Sequence, residues 1–301
     1  MKTLYQRFLE HYVGQMGDPA MRRMYDSSWD GIDKTREVSA VRDYLLKDKV
    51  GVSYLNSKLA PLLSTGEFRM KFASLFCHKK PGVTRTDDCK AENAGDSPGC
   101  ELGDLFVLFV LLDGADKLHH AAGALCQAKV GPKLDSKSQR ALYDFDLEFN
   151  VPAYLANRGN SPGNVRKMPT YEEGRGRALR YMILCDEPSG NVTARHAPWG
   201  KQFRPAWSSF VDGLITGTDG LRVLLESTNP SSWDHIVTDL LHVGLNVPAK
   251  KPPRGNDIAT QVATSLFNNF ANLQDHSAET EFEGVPTLMI IAHAPEYKER
   301  R

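Results

Sequence analysis

Long hydrophobic stretches are missing from this 301-residue chain. The longest uninterrupted apolar run is Leu105 to Leu112, far short of the ~20 residues that a membrane-spanning helix needs. Met1 to Val13 is charged and aromatic, so the first residues do not read as a secretory leader. Cysteine is sparse and odd in number: Cys77, Cys89, Cys100, Cys126 and Cys185. Five thiols argue against a disulfide framework and for a reducing, cytoplasmic setting. Net charge is also absent, because 37 basic residues balance 37 acidic ones. Nothing global therefore demands a nucleic-acid partner, and any positive field that matters must be local. There is no Walker loop and no dinucleotide fingerprint, which argues against ATP and NAD chemistry; the Gly-x-Ser-x-Gly spacings at 95–99 and 159–163 fall in polar, Gly- and Pro-rich stretches rather than between a strand and a helix, as a nucleophile elbow requires. Internal repeats and low-complexity tracts are lacking as well.

What remains is an ordinary globular composition, 41% apolar and 25% charged. Leu4, Phe8, Leu9, Tyr12 and Val13 recur at helical spacing, and Gly17, Asp18 and Pro19 interrupt them. Val38, Val41, Leu45 and Leu46 mark a second helix. Leu62, Leu63, Phe68, Phe72, Leu75 and Phe76 predict a third over Leu59 to His78, capped by Ser64 or Thr65, with Glu67 in its first turn. A polar stretch over 82–99 follows, a loop or a hairpin with a long tip.

Cys100 to Leu112 ends in eight successive apolar residues, as in a strand buried on both faces. Asp113-Gly114 is a hairpin signal, and Ala121 to Val130 is the returning strand. A short helix from Ser136 would set Gln139, Leu142 and Tyr143 against this pair. Residues 157–176 read as a long loop and Ala178 to Cys185 as another strand. Phe210 to Ile215 and Leu221 to Leu225 are short apolar segments. Trp233 to Leu245 and Ile258 to Leu273 have helical periodicity, and Val285 to Ala292 is a last strand. Strands alternating with helices predict an α/β or α+β fold.

The chemistry concentrates in the hairpin. Asp104 opens one strand and Lys129 nears the end of the next, so an antiparallel pairing brings them to one end of the sheet. Gln127 and Lys129 are two apart and share a face. A carboxylate and an amide oxygen suit Mg²⁺, which prefers hard oxygen ligands. A neighbouring ammonium can orient water or hold developing charge. Gln127 is neutral, so a further carboxylate is expected: Glu67 first, Glu101 second. The competing reading is a plain cross-strand ion pair between Asp104 and Lys129, worth ~0.2–1 kcal/mol.

Gly103-Asp104, Gln127-Ala-Lys129 and the upstream Glu67 together resemble the PD-(D/E)XK nuclease superfamily, over roughly residues 60 to 150. The motif departs from the name pattern: Gly stands in place of Pro before Asp104, and Gln in place of the acid at 127. The resemblance implies a restriction-endonuclease-like core, a central mixed sheet flanked by helices. An N-terminal helical segment would cover 1–58, the nuclease core 59–186, and a C-terminal elaboration packed on that core 187–301. It implies metal-dependent hydrolysis of DNA phosphodiesters in restriction, phage defence or repair, with Mg²⁺ or Mn²⁺ as cofactor. Metal ligation would fall to Asp104, Gln127, Glu67 and Glu101, with Lys129 as the catalytic amine. DNA is the implied partner, with a homodimer or a larger defence assembly as further associations. The alternative is a nuclease fold that binds nucleic acid or partners without cutting.

Backbone contacts to DNA are expected from His78, Lys79 and Lys80, and from Arg175 and Arg177 within the cluster Arg166, Lys167, Arg175, Arg177 and Arg180, with Tyr171 able to stack on a base. Lys250, Lys251 and Arg254 form a second cluster. Solvated faces, and helix capping by the 78–80 run, are the competing explanations. Cys77, His78, Cys89 and Cys100 include metal-ligand types but lack the short Cys-x-x-Cys knuckle, so free thiols are expected. His119, His120, His276 and His293 read as surface or capping histidines, and Trp199, Trp207 and Trp233 as core residues.

Overall fold

The structure is a computed structural model, and it describes residues 2–79, 81–86, 99–134, 136–145, 148–152, 164–187, 189–199, 203–224, 231–244 and 277–297. A mixed β-sheet flanked by helices forms its centre, with the order β11-β1-β12-β4-β5-β8-β9, and β10 pairing the far part of β5. The strands are β1 (Arg69–Lys79), β4 (Leu105–Asp113), β5 (Leu118–Lys129), β8 (Leu179–Asp186), β9 (Asn191–His196), β10 (Leu221–Arg222), β11 (Ser277–Glu283) and β12 (Thr287–Ala294). A second, four-stranded sheet runs β3 (Gly99–Glu101), β2 (Gly82–Arg85), β6 (Glu148–Asn150), β7 (Val165–Lys167).

The first face is covered by α1 (Leu4–Met16), α2 (Pro19–Ser27), α3 (Glu37–Leu46), α4 (Gly51–Lys58), α5 (Ala60–Leu63) and α8 (Trp207–Thr216). Their apolar sides meet Leu105, Val107, Phe109 and Leu111 of β4 and Ala122, Ala124 and Cys126 of β5 in one buried cluster. Thr3 caps α1 in a reciprocal capping box with Gln6, and Asp18 caps α2 ahead of Pro19; both satisfy helix-end N–H groups that would otherwise be orphaned. Two periodic residues of the expected helices face water, Val13 and Val38, each 52% exposed.

The second face buries Phe106, Leu108, Val110 and Leu125. Over it lie α6 (Lys137–Asp144), α7 (Arg175–Ala178), α9 (Ser232–Gly244) and the small sheet. Every residue of β4 is buried, which is why its sequence shows no alternation: both faces are core.

The expected helix over Leu59 to His78 is corrected. Only Ala60–Leu63 is helical, Ser64 ends that turn, and Arg69–Lys79 is a strand. Gly66, at φ +60, breaks the chain between them. Phe72 and Phe76 enter the first core while Ala73 enters the second; a strand buried on both faces mimics a helical stripe. The C-terminal strand β12 lies inside the sheet, parallel to β4 and antiparallel to β1. The long loop expected over 157–176 contains β7 and α7 in its described part. Ser136 does cap α6, and Leu142 and Tyr143 are buried against the sheet. The Ile258–Leu273 segment lies outside the described residues.

Candidate functional site

The register of β4 and β5 begins with Leu105 against Cys126, so Asp104 and Gln127 both lie just past that last pair, at one end of the sheet. Asp104 continues the ladder in two ways. Its N–H donates to Cys126 O at 2.8 Å, and its carboxylate Oδ2 accepts the Ala128 N–H at 2.8 Å. A side-chain oxygen thus takes the place of a strand carbonyl. Just before it, Gly103 passes so close beneath Leu125 and Tyr143 that a Cβ would lie 2.7 Å from Leu125 Cδ1. The Tyr143 hydroxyl donates to Leu102 O at 3.0 Å and pins this crossing from the small sheet into the large one. Burial and nearby anionic groups push the Tyr143 hydroxyl well above its usual range, so it stays protonated and able to donate.

Gln127 is fully buried. Its Nε2 donates to Glu101 O at 3.1 Å, while Oε1 has no hydrogen-bond partner among the described residues. A buried acceptor left unpaired costs ~1–3 kcal/mol. Asp104 is only 3% exposed. Lys129 lies two residues beyond Gln127, and its Nζ is 3.6 Å from Glu37 Oε2. The other carboxylate oxygen of Glu37 accepts the Val130 N–H at 3.3 Å. Glu37 opens α3, and nothing in its spacing from the hairpin flags it; only the packing of α3 over this strand end brings it there.

Asp104 and Gln127 thus lie at one end of the β4–β5 pair, and Lys129, two residues beyond Gln127, pairs with Glu37. Glu67 goes elsewhere. It precedes β1 in a turn rather than on a helix and pairs with Arg7 at 2.5 Å. Arg69 is level with His293, and His293 with Leu112, at the opposite end of β4. That is eight residues from Asp104, about 26 Å at ~3.3 Å per residue. Glu101 is exposed on β3, and only its backbone carbonyl reaches Gln127. Among the described residues no group of three or more His, Cys, Asp or Glu side chains has metal-binding geometry.

The expected phosphate contacts divide. β1 ends near the Asp104 end of the sheet, but β12 intervenes. His78 there is engaged with Glu279 at 2.8 Å; Lys79 closes β1, and Lys80 lies outside the described residues. Arg175 is 3% exposed and donates to Pro169 O and Asp144 O, a structural use that keeps it from a phosphate. Arg166 is buried on Asp239 at 2.7 Å, and Arg180 is buried on Asp219. Arg177 is exposed and donates to Gly217 O at 2.7 Å. Lys250, Lys251 and Arg254 are outside the described residues, as are Cys89 and His276.

Cys77 is buried, and desolvation lifts its thiol to about 12, which disfavours a metal-binding thiolate. His119 Nε2 donates to the Asp113 carboxylate at 2.9 Å, and His120 stacks on Tyr5 with ring centres 3.8 Å apart. Both are structural. Trp207 and Trp233 are core residues.

Compared with protein-family models, curated proteins and solved structures, the chain matches none. The class that stands is an α/β protein with a mixed central sheet flanked by helices. No helix among the described residues is long and apolar enough to cross a membrane.

Proposed function

We propose that the chain is a divalent-metal-dependent nuclease with a restriction-endonuclease-like core, acting on DNA. The observation that carries this reading is the unpartnered Gln127 Oε1, buried at the Asp104 end of the sheet with Lys129 two residues on. A cation seated there would take Gln127 Oε1 and carboxylate oxygen from Asp104. Glu37 replaces Glu67 as the auxiliary acid, because it alone of the two reaches the Lys129 end of the sheet. The metal would supply charge neutralisation on a phosphodiester and a more acidic water. Lys129, held by Glu37, would donate to the developing charge. The β3 segment lies over Gln127 through Glu101 O, so a substrate enters only after residues 99–103 shift.

That cover also favours a second reading, a nuclease-fold subunit that binds nucleic acid or a defence partner without cutting. One assay separates the two. Supercoiled, linear and single-stranded DNA are incubated with the full chain in Mg²⁺, in Mn²⁺ and in EDTA. Metal-dependent nicking that is lost in Lys129→Ala supports the nuclease. No cleavage of any substrate with either metal, or cleavage unchanged in Lys129→Ala, overturns it.

A further inference from the structure

The end of the sheet remote from Asp104 carries a different feature. A cavity of about 350 Å³ opens beside the first residues of β1, lined by Asn56, Ser64, Arg69, Lys71 and His293 among others. This volume is within the range of small-molecule sites.

The local chain explains why a cavity forms. β11 pairs with β1 from Ser74 onward, so the edge of β1 before that point needs other partners. Ser64 supplies them to Met70, accepting its N–H at 2.8 Å and donating to its O at 3.2 Å. Asn56 does the same for Phe72, at 2.9 Å to N and 2.6 Å to O. Two side chains from α4 and the end of α5 thereby satisfy the strand edge without filling the space a neighbouring strand would occupy.

Two cationic side chains and a histidine line that space. Arg69 and Lys71 are two apart on β1 and share a face. His293 is directly opposite Arg69 in the β1–β12 register, and Ile291 opposite Lys71. Directly opposed pairs have Cβ atoms ~4.5–5.5 Å apart. Arg69 Nη1 donates to Gly66 O at 2.9 Å and Phe68 O at 3.0 Å, which fixes the guanidinium at the cavity wall. The carboxylate of Asp116 is 3.7 Å from His293 Nε2 and offsets part of the charge from outside the lining. Partial burial lowers the Lys71 ammonium from its usual range. Ala60, Pro61, Met70 and Ile291 complete an apolar wall.

We propose that this cavity binds a small phosphomonoester, its phosphate held by Arg69, Lys71 and His293 and its body against the Pro61–Ile291 wall. A guanidinium offers the planar fork that matches phosphate, and an ammonium adds a compact charge. The site is separate from Asp104, so its test needs neither metal nor cleavage.

The full chain is titrated calorimetrically in phosphate-free buffer containing EDTA, with adenosine monophosphate, inorganic phosphate and adenosine. Adenosine monophosphate is expected to bind, adenosine to bind at least about tenfold more weakly, and rising salt to weaken the former. Lys71→Met keeps the aliphatic stem and is expected to weaken binding about tenfold, as is Arg69→Gln, while the exposed Lys133→Met changes nothing. Far-ultraviolet circular dichroism and melting temperature establish that each variant is folded. No heat from adenosine monophosphate or inorganic phosphate at millimolar concentration overturns the proposal. So does binding of adenosine as tight as that of its monophosphate, or affinity unchanged in both folded variants.

Discussion

Replacing Gln127 with Met tests the central oxygen directly. The two side chains are close in volume, so the packing penalty is small. In metal-free protein the variant loses the Nε2 bond to Glu101 O, worth ~0.5–1.5 kcal/mol net. It also removes the buried, unpartnered Oε1, whose desolvation costs ~1–3 kcal/mol. The balance runs from near zero to ~2 kcal/mol in favour of the variant. In EDTA, Gln127→Met is therefore expected to melt at the wild-type temperature or a few degrees above it, at ~2–4 °C per kcal/mol for a large domain.

Mg²⁺ reverses the order. A cation bound only to the folded wild type adds about 2.7 kcal/mol at a hundredfold excess over its dissociation constant, and the variant lacks the ligand oxygen. Thermal melts of both proteins, in EDTA and in Mg²⁺, measure all four quantities. An equal Mg²⁺ shift in both proteins would refute the assignment of Oε1 as a ligand. A variant that melts well below wild type in EDTA would refute the claim that the oxygen is unsatisfied.

Three further outcomes follow from the geometry. Glu37→Gln is expected to lower metal-dependent cleavage by an order of magnitude or more, whereas Glu67→Gln, roughly 26 Å from Asp104 along the strand, leaves it unchanged; equal effects would remove Glu37 from the site. Burial holds both His120 and His196 down at about 4, with nearby arginines acting the same way. Their folded-state values lie below the unfolded value of ~6.5, so stability is full above that pH and falls as acidification proceeds from ~6.5 toward 4. His120→Phe keeps the stack on Tyr5 and is expected to flatten part of that slope in urea titrations across this range; an unchanged slope would refute the burial argument. Gly51→Ala is expected to destabilise by ~2–4 kcal/mol in urea unfolding, because φ is +49° there and a Cβ would meet Tyr44 O at 1.8 Å; a near-neutral variant would mean the α3–α4 turn is arranged differently.

Local pattern was legible where one force dominates. The eight apolar residues after Asp104 could only be a strand with two covered faces, and they are. Asp18-Pro19, Ser136 and the Asp113-Gly114 turn announced element ends because capping and turn geometry act within a few residues. Phe68 to Phe76 was misread because apolar residues needed on both faces of a strand leave no period to tell it from a helix. Charge was misread for a related reason. Arg166, Arg175 and Arg180 sit in a stretch rich in Gly and Arg and look solvated, yet long-range partners at Asp239, Asp144 and Asp219 bury them.

The sequence by itself determined the hairpin and the residue types at its end. The alternation that puts Gln127 and Lys129 on one side, and the antiparallel return that brings them to Asp104, are consequences of residue spacing alone. Which fourth group joins them, and which end of the sheet Glu67 occupies, were decided by tertiary structure. Those depend on β12 entering between β1 and β4 and on α3 docking at the strand end. Both are contacts between residues far apart in the chain, set by the burial of whole faces rather than by any local pattern.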